Sequence, residues 1–370
     1  MYNLQHNLTI EQKSLTSTRQ IVKFSLYIAI GAPAALFTFL TVFAIARDRK
    51  LRRRKAFLII GALALADFVD AVATILAGSY RLCGLTYGWA FAKVHVIRCT
   101  IQPYSLLWRW SDSAIGFMLV AVSLDRLLAV AAPLRYFKYE TTYAKRLIAI
   151  FYALSVGNWL LAWIEPLWDP GREIYALCDA VVVAPYFYQY SKYLTACLSA
   201  LSVLFYGVVI FMLEQRMDGL GSYMDTKTLD LQRTSQKKLT VTLGISSVCT
   251  LFFDAIPRAW GMYMYAPELN VPDMIIQGHS VAPYLFLINK LNAIVNFFLL
   301  VGRHSEIRRG MRFAFGLATR KISRRRYPTL RASQIENAML RPPPATTNAT
   351  PPPSPDSSVE QVPLCRDAVV

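Results

Sequence analysis

The sequence predicts an all-α fold, namely a seven-transmembrane helix bundle with a short amphipathic membrane-surface helix and a disordered C-terminal tail. Three observations lead to this prediction. The chain has 370 residues, of which 55% are hydrophobic, whereas soluble domains are about 45–50% apolar. The apolar residues gather in runs at least as long as the roughly 20 residues that a helix needs to cross a bilayer. Basic residues lie mostly on one side of those runs.

The seven apolar runs are the predicted spans one to seven, and together they form a domain over residues 23–302. Only helices and closed barrels satisfy their backbone hydrogen bonds in lipid, and these runs are far too long for barrel strands. The first run is also too long for a cleavable signal sequence, so it is kept as a span. The spans cover residues 23–46, 57–79, 101–124, 145–168, 190–214, 238–263 and 280–302.

The formal net charge of +17 predicts the orientation of the chain. The loops after spans one, three and five hold 17 basic residues, whereas the other three loops hold 4. Because basic loops stay in the cytoplasm, we expect an extracellular N-terminal tail over residues 1–22 and a cytoplasmic C-terminus at the plasma membrane. Basic residues that flank spans meet anionic membrane lipid, so nucleic acid is not an expected partner. Asn7, in an Asn-Leu-Thr acceptor, is an expected glycosylation site on the outer side.

The cytoplasmic segment divides into two parts by composition. Residues 303–326 form an amphipathic membrane-surface helix and a basic linker, because Ile307, Met311 and Phe315 recur at four-residue steps between arginines. A generic basic linker is the alternative interpretation. Residues 327–370 are rich in proline and polar residues, which cannot bury a core, so this tail is expected to be disordered. Its serines and threonines could be phosphorylated and recruit arrestin.

The cysteines suggest one disulfide on the outer side. Cys83, Cys99 and Cys178 lie in the outer loops or at the outer end of a span, and the extracellular compartment is oxidising. We favour a Cys99–Cys178 disulfide, which would join the top of span three to the second outer loop. A pairing that includes Cys83 remains open. No spacing of cysteine and histidine indicates a metal site, and no cofactor is expected.

Span three ends in the sequence DRLLAVAAPLRY, which begins with Asp125 and Arg126 and includes Pro133. An arginine at the membrane edge needs a counter-charge, and its neighbour supplies one. Together with seven spans and an outer N-terminus, this segment resembles the rhodopsin-like family of G-protein-coupled receptors. The sequence LALADFVDA in span two is similar to another motif of that family and puts its buried acid at Asp67.

Other positions match the family or depart from it. Tyr206 in span five, Pro257 in span six and Asn292 in span seven match. Departures include Ala293, which stands where the family has a proline, and Leu198, which stands at a further proline position. These departures resemble the nematode serpentine chemoreceptors of the Srsx type.

The resemblance implies a latch at the inner end of span three. Asp125 and Arg126 would pair in the inactive receptor, and Arg126 would meet the G protein after Pro257 lets span six swing outward. Many family members add an acid at the base of span six, but Lys237 stands there. We therefore expect a weakened off state with basal signalling. A cation that simply extends to the interface is the alternative reading of Arg126.

Asp67 is an acid in the middle of the membrane, which is costly and usually functional. The resemblance implies that it holds a sodium ion or protons together with Asn292. Lys290 lies two residues before Asn292, so its ammonium could replace the sodium by pairing with Asp67. A Lys290 that faces elsewhere and a purely structural Asp67 remain open.

Four charges in the outer halves of the spans are candidate ligand contacts. Arg109 and Asp112 are three residues apart, and Asp254 and Arg258 are four apart, so each pair could also meet along its own helix. The functional interpretation puts the two arginines at a pocket for an acidic ligand. Trp108 and Trp110 would add aromatic walls to it.

We therefore expect a receptor that senses an extracellular ligand and promotes nucleotide exchange on a heterotrimeric G protein. A small-molecule chemical cue is the expected ligand, and a neuropeptide receptor of the same fold is the alternative. A transporter would show repeated halves or broken helices, and a membrane enzyme would show clustered histidines or a nucleophile with a base. The sequence contains neither pattern, so no catalytic residue is expected.

Overall fold

The structure, a computed structural model, describes residues 2–220, 244–245, 248–257, 259–260, 282–303, 307–309 and 311. Within these residues, five helices are long and apolar enough to cross a membrane, and they coincide with spans one to five. They are Thr18–Arg47, Lys55–Thr86, Pro103–Ala131, Thr141–Trp168 and Pro185–Met212. A shorter apolar helix, Leu287–Gly302, coincides with span seven. Span six is described only in part.

The described elements are almost all helical, and they follow the chain in the order expected for a bundle. Short helices sit in the loops, and two three-residue strands form the one described sheet. The elements are α1 (Tyr2–Arg47), α2 (Arg49–Arg52), α3 (Lys55–Thr86), β1 (Lys93–His95), α4 (Val96–Thr100), α5 (Pro103–Ala131), α6 (Pro133–Lys138), α7 (Thr141–Leu161), α8 (Ile164–Trp168), β2 (Glu173–Tyr175), α9 (Ala180–Val183), α10 (Pro185–Leu220), a π-helix (Leu251–Ala255) and α11 (Ala282–Arg303).

Helix α1 starts well before span one. Residues 2–22, which we expected as an outer tail, are helical and continuous with the span. Asn7 belongs to this helix, and its side chain lies outside the described residues, so its glycosylation stays a prediction.

Spans one and two pack closely because glycines lie at their interface. A Cβ atom added to Gly78 would lie 3.0 Å from the backbone oxygen of Phe24 and 3.0 Å from the Cβ of Tyr27. Gly31 makes a similar approach to Ile75 from the other helix. Glycine therefore permits a backbone separation that a larger residue would obstruct, as in other membrane helix pairs.

Span three is the central element of the described bundle. Helix α5 packs against α3, α7 and α10, the helices of spans two, four and five. Its buried residues include polar and charged side chains as well as apolar ones. A helix that is surrounded in this way can present polar groups to several neighbouring helices. Membrane proteins tolerate polar groups in such a bundle interior.

The end of the bundle that we expect to face outward carries a two-stranded antiparallel sheet and a disulfide. Strands β1 and β2 are antiparallel, with Val94 opposite Ile174, an element that the sequence did not predict. Cys99 and Cys178 form a disulfide with a Cα–Cα distance of 5.2 Å, which is the pairing we favoured. Cys83 is a free cysteine.

The described part of span six contains a π-helix over Leu251–Ala255, directly before Pro257. Proline lacks a backbone N–H and crowds the preceding turn, so it bends a helix. A π-helical turn is another recognised cause of a helix kink. The sequence predicted the proline kink but not the π-helix.

Beyond span seven, only residues 307–309 and 311 are described. Ile307 is buried in a cluster with Leu51 and Phe57, and Met311 packs against that cluster. Arg308 and Arg309 are exposed. This distribution agrees with an amphipathic segment, although Ile307 packs against the helix bundle and not against lipid. Phe315 and the tail over residues 327–370 lie outside the described residues, so the tail's disorder stays a prediction.

Candidate functional site

Two neighbouring charges at the end of α5 form a buried ion pair. Arg126 donates to the Oδ2 atom of Asp125 at 2.7 Å. Asp125 is 1% exposed and Arg126 is 8% exposed. Because both groups are withdrawn from solvent, the pair is shielded from the screening that weakens surface salt bridges. The inner end of span three therefore holds an arginine in a closed arrangement.

Tyr136, in α6, completes this arrangement from the following loop. Its hydroxyl donates to the Asp125 carboxylate, at 3.1 Å from Oδ1. Burial, together with the negative charge of Asp125, raises the pKa of the Tyr136 hydroxyl. The hydroxyl therefore keeps its proton and remains a donor. Pro133 is the first residue of α6, where a proline is compatible with the start of a helix.

Lys55, at the start of α3, holds Tyr136 in place. Its Nζ atom donates to the backbone oxygen of Tyr136 at 2.5 Å and lies 4.3 Å from the centre of the tyrosine ring. A cation over an aromatic face is attracted by the ring's negative face. Side chains from α3, α5 and α6 thus form one cluster around Asp125. We call this cluster the inner latch (Lys55, Asp125, Arg126 and Tyr136).

Tyr206 of span five is a family-matched residue close to this latch. It is 5% exposed and within electrostatic reach of Arg126 and Asp125. Lys237, where other members of the resembled family have an acid, lies outside the described residues. The expected weakening of the off state by Lys237 therefore stays a prediction.

Lys290 of span seven pairs with Asp70 of span two. The pair is buried, with 6% of Lys290 and 5% of Asp70 exposed. Ser111 of span three donates to Asp70 at 3.3 Å. The suggested pairing of Lys290 with Asp67 is therefore wrong. Lys290 pairs with Asp70, which lies one turn away from Asp67 on the same helix face.

Asp67 accepts no hydrogen bond from any described residue. It lies within electrostatic reach of Asp70, Lys290 and Asp254 and borders a cavity of about 50 Å³. Asn292 does not bind it: Asn292 is paired with Thr250 of span six, at 3.3 Å from its Nδ2 atom to the threonine Oγ1. The cavity is lined mainly by spans one, two, three and seven, with Ser202, Tyr206 and Thr250 from spans five and six.

The two neighbouring tryptophans of span three face different helices. The ring of Trp108 lies 6.4 Å from that of Tyr27 and 6.0 Å from the Nζ atom of Lys290. Trp110 instead packs against Tyr152 of span four, with the two rings tilted and 5.5 Å between their centres. Trp108 therefore borders the space among spans one, two and seven, whereas Trp110 packs between helices.

Arg109 also faces span four. Its Nη1 atom donates to the backbone oxygen of Ala162 at 3.0 Å, and Glu165 is within electrostatic reach. It does not pair with Asp112 along its own helix. Asp112 instead forms a salt bridge of 3.0 Å with Lys192 of span five.

Asp254 of span six accepts a hydrogen bond of 2.6 Å from Ser199 of span five. Arg258 lies outside the described residues, so its role at a pocket stays a prediction. The structure thus divides the predicted outer charges among separate helix pairs: Asp112 and Asp254 face span five, and Arg109 faces span four.

Sequence reasoning missed several of these partners. Asp70 and Lys192 are charges inside apolar runs, a signal that should have singled them out. Arg81, at the outer end of span two, is 4% exposed. It donates to the backbone oxygens of Leu177 and Cys178, both at 3.0 Å, and so ties the second outer loop to the bundle.

Comparisons with known proteins agree with the helix bundle. The family model described as "7 transmembrane receptor (rhodopsin family)" matches residues 38–260. Cannabinoid receptor 2 of Rattus norvegicus is 23% identical over 321 residues, covering 82% of this chain and 81% of that receptor. Adenosine receptor A2b of Homo sapiens is 24% identical over 318 residues, covering 80% of this chain and 90% of that receptor.

Proposed function

This chain belongs to the rhodopsin family of seven-transmembrane receptors, and we propose that it detects a small-molecule cue through the outer halves of its spans. As a member of that family it is a multi-pass membrane protein that signals through heterotrimeric G proteins, and it is not an enzyme. Its N-terminus is proposed to lie outside the cell. The disulfide between Cys99 and Cys178 supports this orientation, because it lies at the end opposite Arg126 and needs an oxidising compartment.

The inner latch is the observation that supports G-protein coupling most strongly. The sequence alone suggested a pair of adjacent charges, and the structure adds a tyrosine and a lysine that close around it. Breaking this cluster would release a cationic group at the inner end of span three. A receptor works by shifting between two such states, and a ligand stabilises one of them.

The ligand site is proposed to lie among Trp108, Asp112, Asp254 and Arg258. Asp112 and Asp254 each join span five to a neighbouring span, so a ligand that displaces either contact would change helix packing. Arg109 is bonded to Ala162 of span four, so it is not placed beside Arg258 around an acidic ligand. Arg258 and Lys192 are therefore the basic residues that would favour an acidic ligand.

A chemical cue is favoured over a neuropeptide. The two relatives reported above are named for cannabinoid and adenosine, both small organic molecules. The departures from family motifs also resemble the nematode serpentine chemoreceptors of the Srsx type. A neuropeptide receptor of the same fold remains the second candidate.

Coupling is tested by ligand-independent nucleotide exchange on a panel of purified G proteins, in membranes with equal amounts of receptor. The wild type is expected to raise exchange, and Arg126→Ala is expected to abolish that rise. Arg146→Ala is the matched control, because Arg146 is an exposed arginine of the same inner surface. Equal exchange by wild type and Arg126→Ala would contradict the role of the latch.

The ligand class is tested with the G protein that responds in that assay. A library of small organic molecules and a library of neuropeptides are compared for stimulated exchange. Activation by small molecules, lost in Asp112→Ala, is the expected result. Activation by peptides alone would favour the second candidate.

A further inference from the structure

Span two presents two carboxylates to one lysine of span seven. Asp67 and Asp70 are three residues apart, so they lie on one face of α3, about 4.5 Å apart along its axis. Lys290 is bound to Asp70 and is also within electrostatic reach of Asp67. The lysine side chain is a flexible stem with a compact charge, so it can reach more than one partner.

The outer position, at Asp70, is well built for an ammonium group. Ser111 donates to Asp70 from span three, and the Trp108 ring lies 6.0 Å from the Lys290 Nζ atom. Both members of the ion pair are buried. Three spans and an aromatic ring therefore surround the charge pair.

The inner position, at Asp67, has room and an unmatched carboxylate. Asp67 accepts no hydrogen bond within the described part of the chain, and it borders the cavity of about 50 Å³. That volume holds about three water-sized groups. Span seven borders the same cavity with Ala293 and Phe297, which are three and seven residues beyond Lys290 and so share its helix face.

We propose that Lys290 alternates between Asp70 and Asp67, and that this one-turn exchange couples span two to span seven during signalling. The ammonium is at Asp70 in the resting receptor and at Asp67, at the head of the cavity, in the signalling receptor. This inference rests on the proposed function for its link to signalling. One-turn exchanges between discrete partners are a known way for packed helices to switch.

The assignment of Asp70 to the resting state follows from the inner latch. In the same structure, Arg126 is bound to Asp125 and Tyr136 closes on that pair. Lys290 is at Asp70 while the latch is closed. Asp67, whose carboxylate accepts no hydrogen bond from the residues that the structure describes, is then the destination of the ammonium when the helices shift.

The two positions are tested first by stability, without any G protein. Purified receptors in nanodiscs are melted as wild type, Asp67→Asn, Asp70→Asn and the double variant. In the wild-type background, Asp67→Asn is expected to change the melting temperature little. In the Asp70→Asn background, where Lys290 has moved to Asp67, Asp67→Asn is expected to lower the melting temperature clearly. In a Lys290→Met background this dependence should vanish.

The signalling role is tested by ligand-independent exchange on the same variants. Asp70→Asn should raise exchange about fivefold or more, the lower range of usual allosteric couplings, and Asp67→Asn should lower it. A merely structural role would move both variants in the same direction. Asp70→Glu keeps the outer charge and should restore exchange close to that of the wild type.

The outcomes separate the two proposals. Equal effects of Asp67→Asn in both backgrounds would show that Lys290 has no second position and would overturn the inference. Parallel loss of exchange in both Asn variants would overturn its signalling role. If the stability dependence holds but the wild type couples to no G protein, the two positions stand and the proposed function fails.

Discussion

The hydroxyl of Tyr136 donates to Asp125, the same carboxylate that binds Arg126. The carboxylate therefore holds the arginine of span three and the tyrosine of the following loop at once. Because Lys55 binds Tyr136 from span two, a change at any member of the inner latch is transmitted to the arginine. Under the proposed function, the resting state of this receptor depends on that shared acceptor.

Tyr136→Phe removes one hydrogen bond to Asp125 and keeps the ring against Lys55. Hydrogen bonds to charged groups contribute about 1.5–3 kcal/mol, so ligand-independent exchange should rise about tenfold or more. Tyr139→Phe is the matched control, because Tyr139 is a partly exposed neighbour of the same loop. Unchanged exchange in Tyr136→Phe would show that Asp125 holds Arg126 without the tyrosine.

The salt bridge between Asp112 and Lys192 should couple spans three and five. Removing one member leaves a largely buried charge, which costs about 3 kcal/mol when burial is complete. The actual loss should be smaller, because the side chains are 12% and 19% exposed. In a thermal unfolding cycle, Asp112→Asn and Lys192→Gln should each destabilise the receptor, and the double variant should recover part of the loss. Strict additivity would contradict the pairing.

The outer disulfide should stabilise the receptor under oxidising conditions. Cys99→Ser and Cys178→Ser should each lower the free energy of unfolding by about 2–5 kcal/mol. Cys83→Ser should leave it unchanged, because Cys83 is free and exposed. A large effect of Cys83→Ser on unfolding or on surface expression would support the alternative pairing that the sequence left open.

The close approach of spans one and two should make Gly78 intolerant of a side chain. The added methyl group of Gly78→Ala would lie 3.0 Å from the Phe24 oxygen, and overpacking of this kind costs about 1–3 kcal/mol. Gly157→Ala is the control, because nothing lies within 4 Å of its added Cβ. Equal melting temperatures of the two variants would contradict the packing of these helices.

Much of the architecture was predictable because it depends on hydropathy and charge. Spans one to five and seven overlap described helices, and their ends differ by no more than seven residues. The adjacent pair Asp125–Arg126 needed no knowledge of other helices, because neighbours in the chain can meet locally. The β1–β2 strand pair was missed because three-residue strands leave almost no periodic signal.

Partner choice between helices was not predictable, because it depends on the rotation of each helix. Trp108 and Arg109 are consecutive, yet the turn of about 100° between neighbours directs Trp108 towards spans one and seven and Arg109 towards span four. Lys290 pairs with Asp70 and not with Asp67, although both acids lie on one face of α3. That difference of one turn is set by the vertical offset of spans two and seven, which no single-helix pattern contains.

If Arg126 engages a G protein when the inner latch opens, the loss of this arginine should prevent complex formation. Purified receptor in nanodiscs is incubated with the responding G protein, and the nucleotide-free complex is measured before and after a GTP analogue is added. The wild type and Arg146→Ala should form a complex that the analogue dissociates, whereas Arg126→Ala should not. A complex of equal yield with Arg126→Ala, or none with the wild type, would contradict the account.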